Sequence, residues 1–196
     1  MRRLICIPLV LAGLLVGGLV APGAVAARAP DRSVREIVTF VSREELIRKG
    51  LIAPRPGAAG TVGTQALCLW DCVYVTNRRY LRTLKPFVTM VQGNGPSTIS
   101  IDITRTVKNS FAATVSVSAQ VVTAGVGFNV ERSESVTYRS STTVPNGACW
   151  SIRAYNVFFE YGYEVWEEPF IGADRKIGTG TARDFRGIEF RLSKSC

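Results

Sequence analysis

Residues 109–130 read NSFAATVSVSAQVVTAGVGFNV, twenty-two positions without a charged side chain, bracketed by Lys108 and Glu131. In a chain that is 20% charged, such a run arises by chance on the order of once in a hundred. Phe111, Ala113, Val115, Val117, Ala119 and Val121 share one parity, and Ala112, Thr114, Ser116, Ser118 and Gln120 share the other. That is the period of a half-buried strand. At Val121–Val122 the phase flips, and the apolar set becomes Val122, Ala124, Val126, Phe128 and Val130. A hairpin folded there opposes Ala119 with Ala124, Val117 with Val126, Val115 with Phe128 and Ala113 with Val130, so every apolar side chain lies on one face. The stretch predicts two antiparallel arms of about 11 residues.

Such a hairpin has two uses. It can lay its apolar face on the core of a soluble sandwich, although the Lys or Glu that guards an edge strand is missing. It can also enter a bilayer, because 9–11 residues are what a transmembrane β-strand needs, with apolar side chains to lipid and polar ones to the lumen.

The same period runs outward in both directions. Strands are predicted at 67–76, 86–91 and around Ile99, Ile101 and Ile103, then at 110–121, 123–132, 134–144, 148–166, 176–183 and 187–192. Gly93–Pro96 and Val144–Gly147 carry turn chemistry. Near the amino terminus Ser42-Arg43-Glu44-Glu45 fits a capping box and Gly50 a left-handed stop, which predicts one short helix at about 43–49. The fold class is all-β: an elongated antiparallel sheet or sandwich with long strands, plus that single N-terminal helix.

The span from Arg105 to Trp150 resembles the pore-forming module of aerolysin-like toxins, the epsilon-toxin and mosquitocidal-toxin type. The shared features are a Ser/Thr-rich long strand, the uncharged amphipathic hairpin, a second long strand at 133–143 and the turn at 144–147. The same segments resemble small secreted actinobacterial proteins of no assigned activity. The aerolysin-like resemblance implies oligomerisation into a β-barrel through the membrane-insertion hairpin. No separate receptor-binding domain or activation peptide is evident.

Residues 1–26 read as a signal peptide: Arg2 and Arg3, an apolar run from Leu4 to Val20, and Ala24-Val25-Ala26 as the cleavage box, with cleavage near Ala26–Ala27. Residues 27–64 then form an N-terminal segment ending in the Pro/Gly-rich stretch 53–64, and 65–196 form the β-rich domain. Export leaves four cysteines, Cys68, Cys72, Cys149 and Cys196, an even number that suggests two disulfides. Three pairings are open, and the reading favours Cys68 with Cys72 and Cys149 with Cys196.

Histidine is absent, which removes Ser-His-Asp and Cys-His catalysis and most catalytic metal sites. No cofactor or metal is predicted. Loss of Arg2 and Arg3 takes the basic residues from 24 to 22 against 15 acidic, a net charge of +7. That balance favours anionic partners, but the basic residues are scattered, with Arg78-Arg79 the densest pair, and no nucleic-acid stripe stands out. The aromatics of 148–166 are expected in the core, where Tyr155, Phe159, Tyr161 and Tyr163 share a parity. Glu160 and Glu164 share a strand face and form the best available carboxylate pair for glycoside hydrolysis, while Gly178-Thr179-Gly180 lacks the helix of a phosphate loop.

The expected function is therefore a secreted, non-enzymatic β-rich protein. One reading has it meeting lipid membranes or a cell-surface partner, as a homo-oligomer, through 111–130. The alternative is a soluble extracellular binding or inhibitory module acting on a cell surface, glycan or protein. A carboxylate-based hydrolase would rest on Glu160 and Glu164 alone.

Overall fold

Two long runs of alternating side chains, 149–168 and 175–193, form the centre of the fold. The computed structural model describes residues 36–52 and 72–195, all within the unit Val34–Cys196. The expected signal peptide, the 53–64 stretch, the start of the 67–76 strand, Cys68 and Cys196 lie outside the described residues. In chain order the elements are β1 (Ile37–Ser42), α1 (Arg43–Arg48), β2 (Cys72–Leu84), β3 (Phe87–Asn94), β4 (Ser97–Lys108), β5 (Ser110–Ala113), α2 (Ala119–Val126), β6 (Ser133–Val144), β7 (Cys149–Glu168) and β8 (Arg175–Ser193).

The architecture is all-β with antiparallel pairing throughout the named strands. β7 and β8 pair along nearly their whole length, and short strands flank them at each end. At one end β3 lies on β7 and β1 on β8; at the other, β2 lies on β7 and β5 on β8. The expected strands at 176–183 and 187–192 are one continuous strand.

Each end of this sheet has its own core. Over the β3–β7–β8–β1 end, the separate ribbon of β4 and β6 contributes Ile99, Ile101, Val136, Tyr138 and Val144, which meet Ile152, Ala154, Phe185, Ile188 and Phe190. Tyr138 is fully buried, its hydroxyl donates to Asn156 Oδ1, and burial pushes its pKa up to about 12. The other end is covered by residues 111–130, which pack on Val75, Tyr163, Val165 and Ala182.

Helix α1 forms as the capping box dictates. The Ser42 side chain accepts from the Glu45 N–H at 3.2 Å, Leu46 is buried, and Gly50 takes φ +67°.

The predicted hairpin at 111–130 is not formed. Strand pairing stops at Ala113, and the Val121–Val122 turn falls inside α2. Thr114 closes β5: its N–H and its hydroxyl both bond to Thr179 O, and Thr179 N–H returns a bond to its Oγ1. Ser118 caps α2 by accepting from the Val121 N–H at 3.3 Å, and Gly127 ends it at φ +77°. Relative to alanine, three Val, one Thr and one Gly cost an eight-residue helix on the order of 3 kcal/mol. It is held instead by burying Val122 and Val126.

Cys72 is a free thiol among the described residues, and its expected partner Cys68 lies outside them. Cys72 opens β2 opposite Glu168, whereas Cys149 stands at the other end of the 20-residue β7, about 60 Å away at ~3.3 Å per residue. Cys149 itself is disulfide-bonded.

Candidate functional site: the uncharged segment and the arginine cavity at its end

The structure gathers every candidate apolar residue except Ala124 into the second core. Val122, Val126 and Val130 are buried; Phe111, Ala113, Val115, Val117, Ala119, Val121 and Phe128 are half-buried against them. Ala124 faces outward. From Phe111 to Gln120 the odd residues are half-buried and the even ones exposed, so the first arm keeps its strand alternation although only Phe111, Ala112 and Ala113 of it pair with β8.

Both ends of the segment are tied at Asn109. Its N–H donates to Arg132 O at 2.8 Å, and its Nδ2 donates to Asn129 O at 2.8 Å and to Asp184 Oδ1 at 3.3 Å. Its Oδ1 accepts from the Phe185 N–H at 2.8 Å. The segment thus leaves the β4–β6 ribbon and returns to it within one buried side chain's reach.

The ribbon has a register that bears on the segment. Opposed residues run from Ser97 with Val144 to Lys108 with Ser133, without a shift. Continued past Lys108, the same ladder would oppose Phe111 with Val130, Ala113 with Phe128, Val115 with Val126, Val117 with Ala124 and Ala119 with Val122. This is two residues displaced from the pairing read off the sequence, and it puts the same side chains on the same face.

At the carboxyl end of α2 lies a cavity of about 260 Å³ lined by Arg43, Glu44, Arg78, Gly127, Phe128, Arg132, Tyr161, Asp184 and Arg186. Arg78 is delivered by a bulge. Between Thr76–Glu164 and Arg79–Gly162 two residues of β2 oppose one of β7, and Asn77 takes φ +54°, a left-handed conformation that costs a non-glycine residue energy. The Arg78 guanidinium lies 5.2 Å from the centre of the Tyr161 ring, and its Nη1 donates to Val126 O. Phe128 packs on the same ring at 5.7 Å. Arg43 is committed to Glu134, whereas Arg132 and Arg186 share the buried Asp184 at 2.7 and 3.1 Å. Arg132 Nε is buried without a hydrogen-bond partner, its nearest acid being Glu134 Oε1 at 3.6 Å.

The aromatic parity expected in the core divides. Tyr163 is buried, while Tyr155, Phe159 and Tyr161 are half-buried beneath the guanidinium groups of Arg191, Arg186 and Arg78. Glu160 and Glu164 are locked in ion pairs. Hydrogen bonds from Arg183 and then Arg82 hold the Glu160 carboxyl below the usual range. Lys176, Asn77 and Trp166 bring Glu164 down to about 2. A glycosidase acid needs a raised value, so neither carboxyl is prepared for that step.

Of the residues lining the arginine cavity, Phe128 alone is a site candidate in the sequence, and none of the four arginines is. Comparison with protein-family models, with curated proteins and with solved structures finds no match to this chain. The chain is an antiparallel all-β protein whose second core is filled by an uncharged, strand-patterned segment.

Proposed function

We propose that this is a secreted, non-enzymatic, membrane-acting protein that stores residues 111–130 over its sheet and deploys them as a transmembrane β-hairpin. The observation that carries the reading is the register of the β4–β6 ribbon. Extended by its own rule, it turns the stored segment into a hairpin with one apolar and one hydroxyl-rich face.

The dimensions support it. Each arm, 111–120 and 121–130, has ten residues and rises about 33 Å; tilted by ~40°, it spans the ~25 Å apolar band of a membrane barrel. The ends of that band are marked chemically. Asn109, Arg132 and Glu134 follow on the apolar face, where a headgroup boundary would fall. On the opposite face, Thr98, Ser100, Thr104 and Thr106 of β4 and Ser135, Thr137, Ser141 and Thr143 of β6 continue the hydroxyl row, with Thr104 and Thr137 bonded at 2.9 Å and Asp102 paired with Arg139. That composition suits a watery lumen. One hairpin leaves two open edges in lipid, so the reading requires several copies closing a barrel. No helix among the described residues is long and apolar enough to cross a membrane, and in this account strands do so.

Dye release from liposomes tests it. The wild-type protein releases dye, and Val117→Asp or Phe128→Asp abolishes release while the variant stays folded. Absence of release from vesicles of every lipid composition, by a folded protein that oligomerises, would end the proposal. The soluble binding-module reading draws on a different observation, the built arginine cavity, and predicts a monomer that binds a surface or partner and never lipid.

A further inference from the structure

Outside the segment itself, the arginine cavity is the feature whose construction the fold does not require. Its walls come from six places in the chain: α1, the β2 bulge, the turn after α2, the residue before β6, β7 and β8. A strained Asn77 and a two-residue bulge are spent on aiming Arg78, and bulges of this kind recur where a side chain must be re-aimed at a site. Four guanidinium groups face two lining carboxylates, Glu44 and Asp184, with Glu134 behind Arg43. Arg43 is spent on Glu134. The remaining three, Arg78, Arg132 and Arg186, each carry five N–H donors, and their hydrogen bonds use one apiece. The volume lies just under that of drug-sized ligand clefts, which begin near 300 Å³, and so suits one small group.

We propose that this cavity binds a phosphate ester, with Arg78, Arg132 and Arg186 as its ligands and the Phe128–Tyr161 wall excluding water from one side. Three guanidinium forks arriving from different elements match a tetrahedral oxyanion with three or four acceptor oxygens. A carboxylate, with two, fills one fork. The same geometry gives binding a consequence. Arg78 is the donor to Val126 O, the last carbonyl of α2, so a phosphate that draws the guanidinium into the cavity competes with the contact that pins the carboxyl end of the stored helix. The binding site stands without the insertion reading; only this coupling rests on it.

Titration of the folded full-length protein with inorganic phosphate, at ionic strength matched with sodium chloride, tests the site by calorimetry. Saturable one-site binding is expected, weakened at least about tenfold by Arg78→Gln and by Arg186→Gln and unchanged by Arg153→Gln, a control on the exposed part of β7. No saturable binding, or equal loss in all three variants, overturns the proposal. Vesicles of phosphatidylcholine with and without phosphatidic acid identify the source. Binding that requires phosphatidic acid and is displaced by inorganic phosphate assigns a lipid headgroup, and phosphate binding without vesicle binding assigns a soluble phosphoester. Dye release is scored separately, so a protein that binds phosphate but never permeabilises vesicles sinks the insertion reading and spares the site.

Discussion

Gly125 separates storage from deployment more cleanly than any other position. In the stored fold, a Cβ at Gly125 would lie 2.5 Å from Val75 Cβ, Cγ1 and O, and the carbonyl cannot rotate away. Gly125→Thr therefore overpacks the α2–β2 contact, at about 1–3 kcal/mol. Replacing glycine in a helix returns a few tenths of a kcal/mol. In the extended ribbon register, position 125 opposes Ser116 on the hydroxyl face, where threonine is favoured over glycine by up to about 1 kcal/mol. The balance moves towards the hairpin by roughly 2 kcal/mol, about thirtyfold in the equilibrium. The apparent melting temperature should fall by about 3–8 °C, and dye release should accelerate severalfold. Val136→Ala, which opens a void in the first core instead, serves as the control: it lowers the melting temperature by a similar amount without selective acceleration. If Gly125→Thr lowers stability while release is unchanged or slower, the stored-hairpin reasoning is refuted.

Three further outcomes follow from the same contacts. Asn109→Ala strands the groups it joins, at about 2–3 kcal/mol, and hydrogen exchange should show protection lost across 110–131 while β7 and β8 remain protected; uniform loss would mean the tie is not local. Glu160 and Glu164 titrate below their ordinary range of about 4.5, so the folded state binds fewer protons than the unfolded one. Their contribution is present above about pH 4.5 and is lost as pH falls towards 2; denaturant melts that keep the same midpoint across that window would contradict the ion pairs. Alkylation of the denatured, unreduced protein should label Cys72 and leave Cys149 unlabelled by mass, and an unlabelled Cys72 would place it in a bridge.

Where local chemistry and tertiary packing agree, the chain is readable. Ser42 and Glu45 announced α1, and the alternating isoleucines of 99–103 announced the buried face of β4, because cap and period are properties of neighbours in sequence. The segment 109–130 shows the two in conflict. Its side chains alternate as a strand, yet Ser118 and Gly127 stand nine residues apart as a cap and a left-handed stop, and burial of Val122 and Val126 decides for the helix. That pair of helix signals was present in the sequence and outweighed by the period. β1 carries no clear sequence signal because its apolar residues fall on both parities, and Ile37, Val38 and Phe40 sit exposed at the sheet edge. The arginine cavity had no local signature at all. Its lining residues are spread from Arg43 to Arg186, and the Arg78-Arg79 pair gains meaning only from a bulge set by pairing with β7.

The central claim is that residues 111–130 cross a bilayer as a hairpin. A polarity-sensitive fluorophore, placed on single introduced cysteines at each position from 111 to 130 in a Cys68→Ser, Cys72→Ser background, reads this directly on liposomes. The account predicts period-two alternation: lipid-like emission at odd positions from 111 to 119 and at even positions from 122 to 130, with water-like emission between them. A periodicity of 3.6 across 119–126, or spectra unchanged from those of the protein in solution, would contradict it.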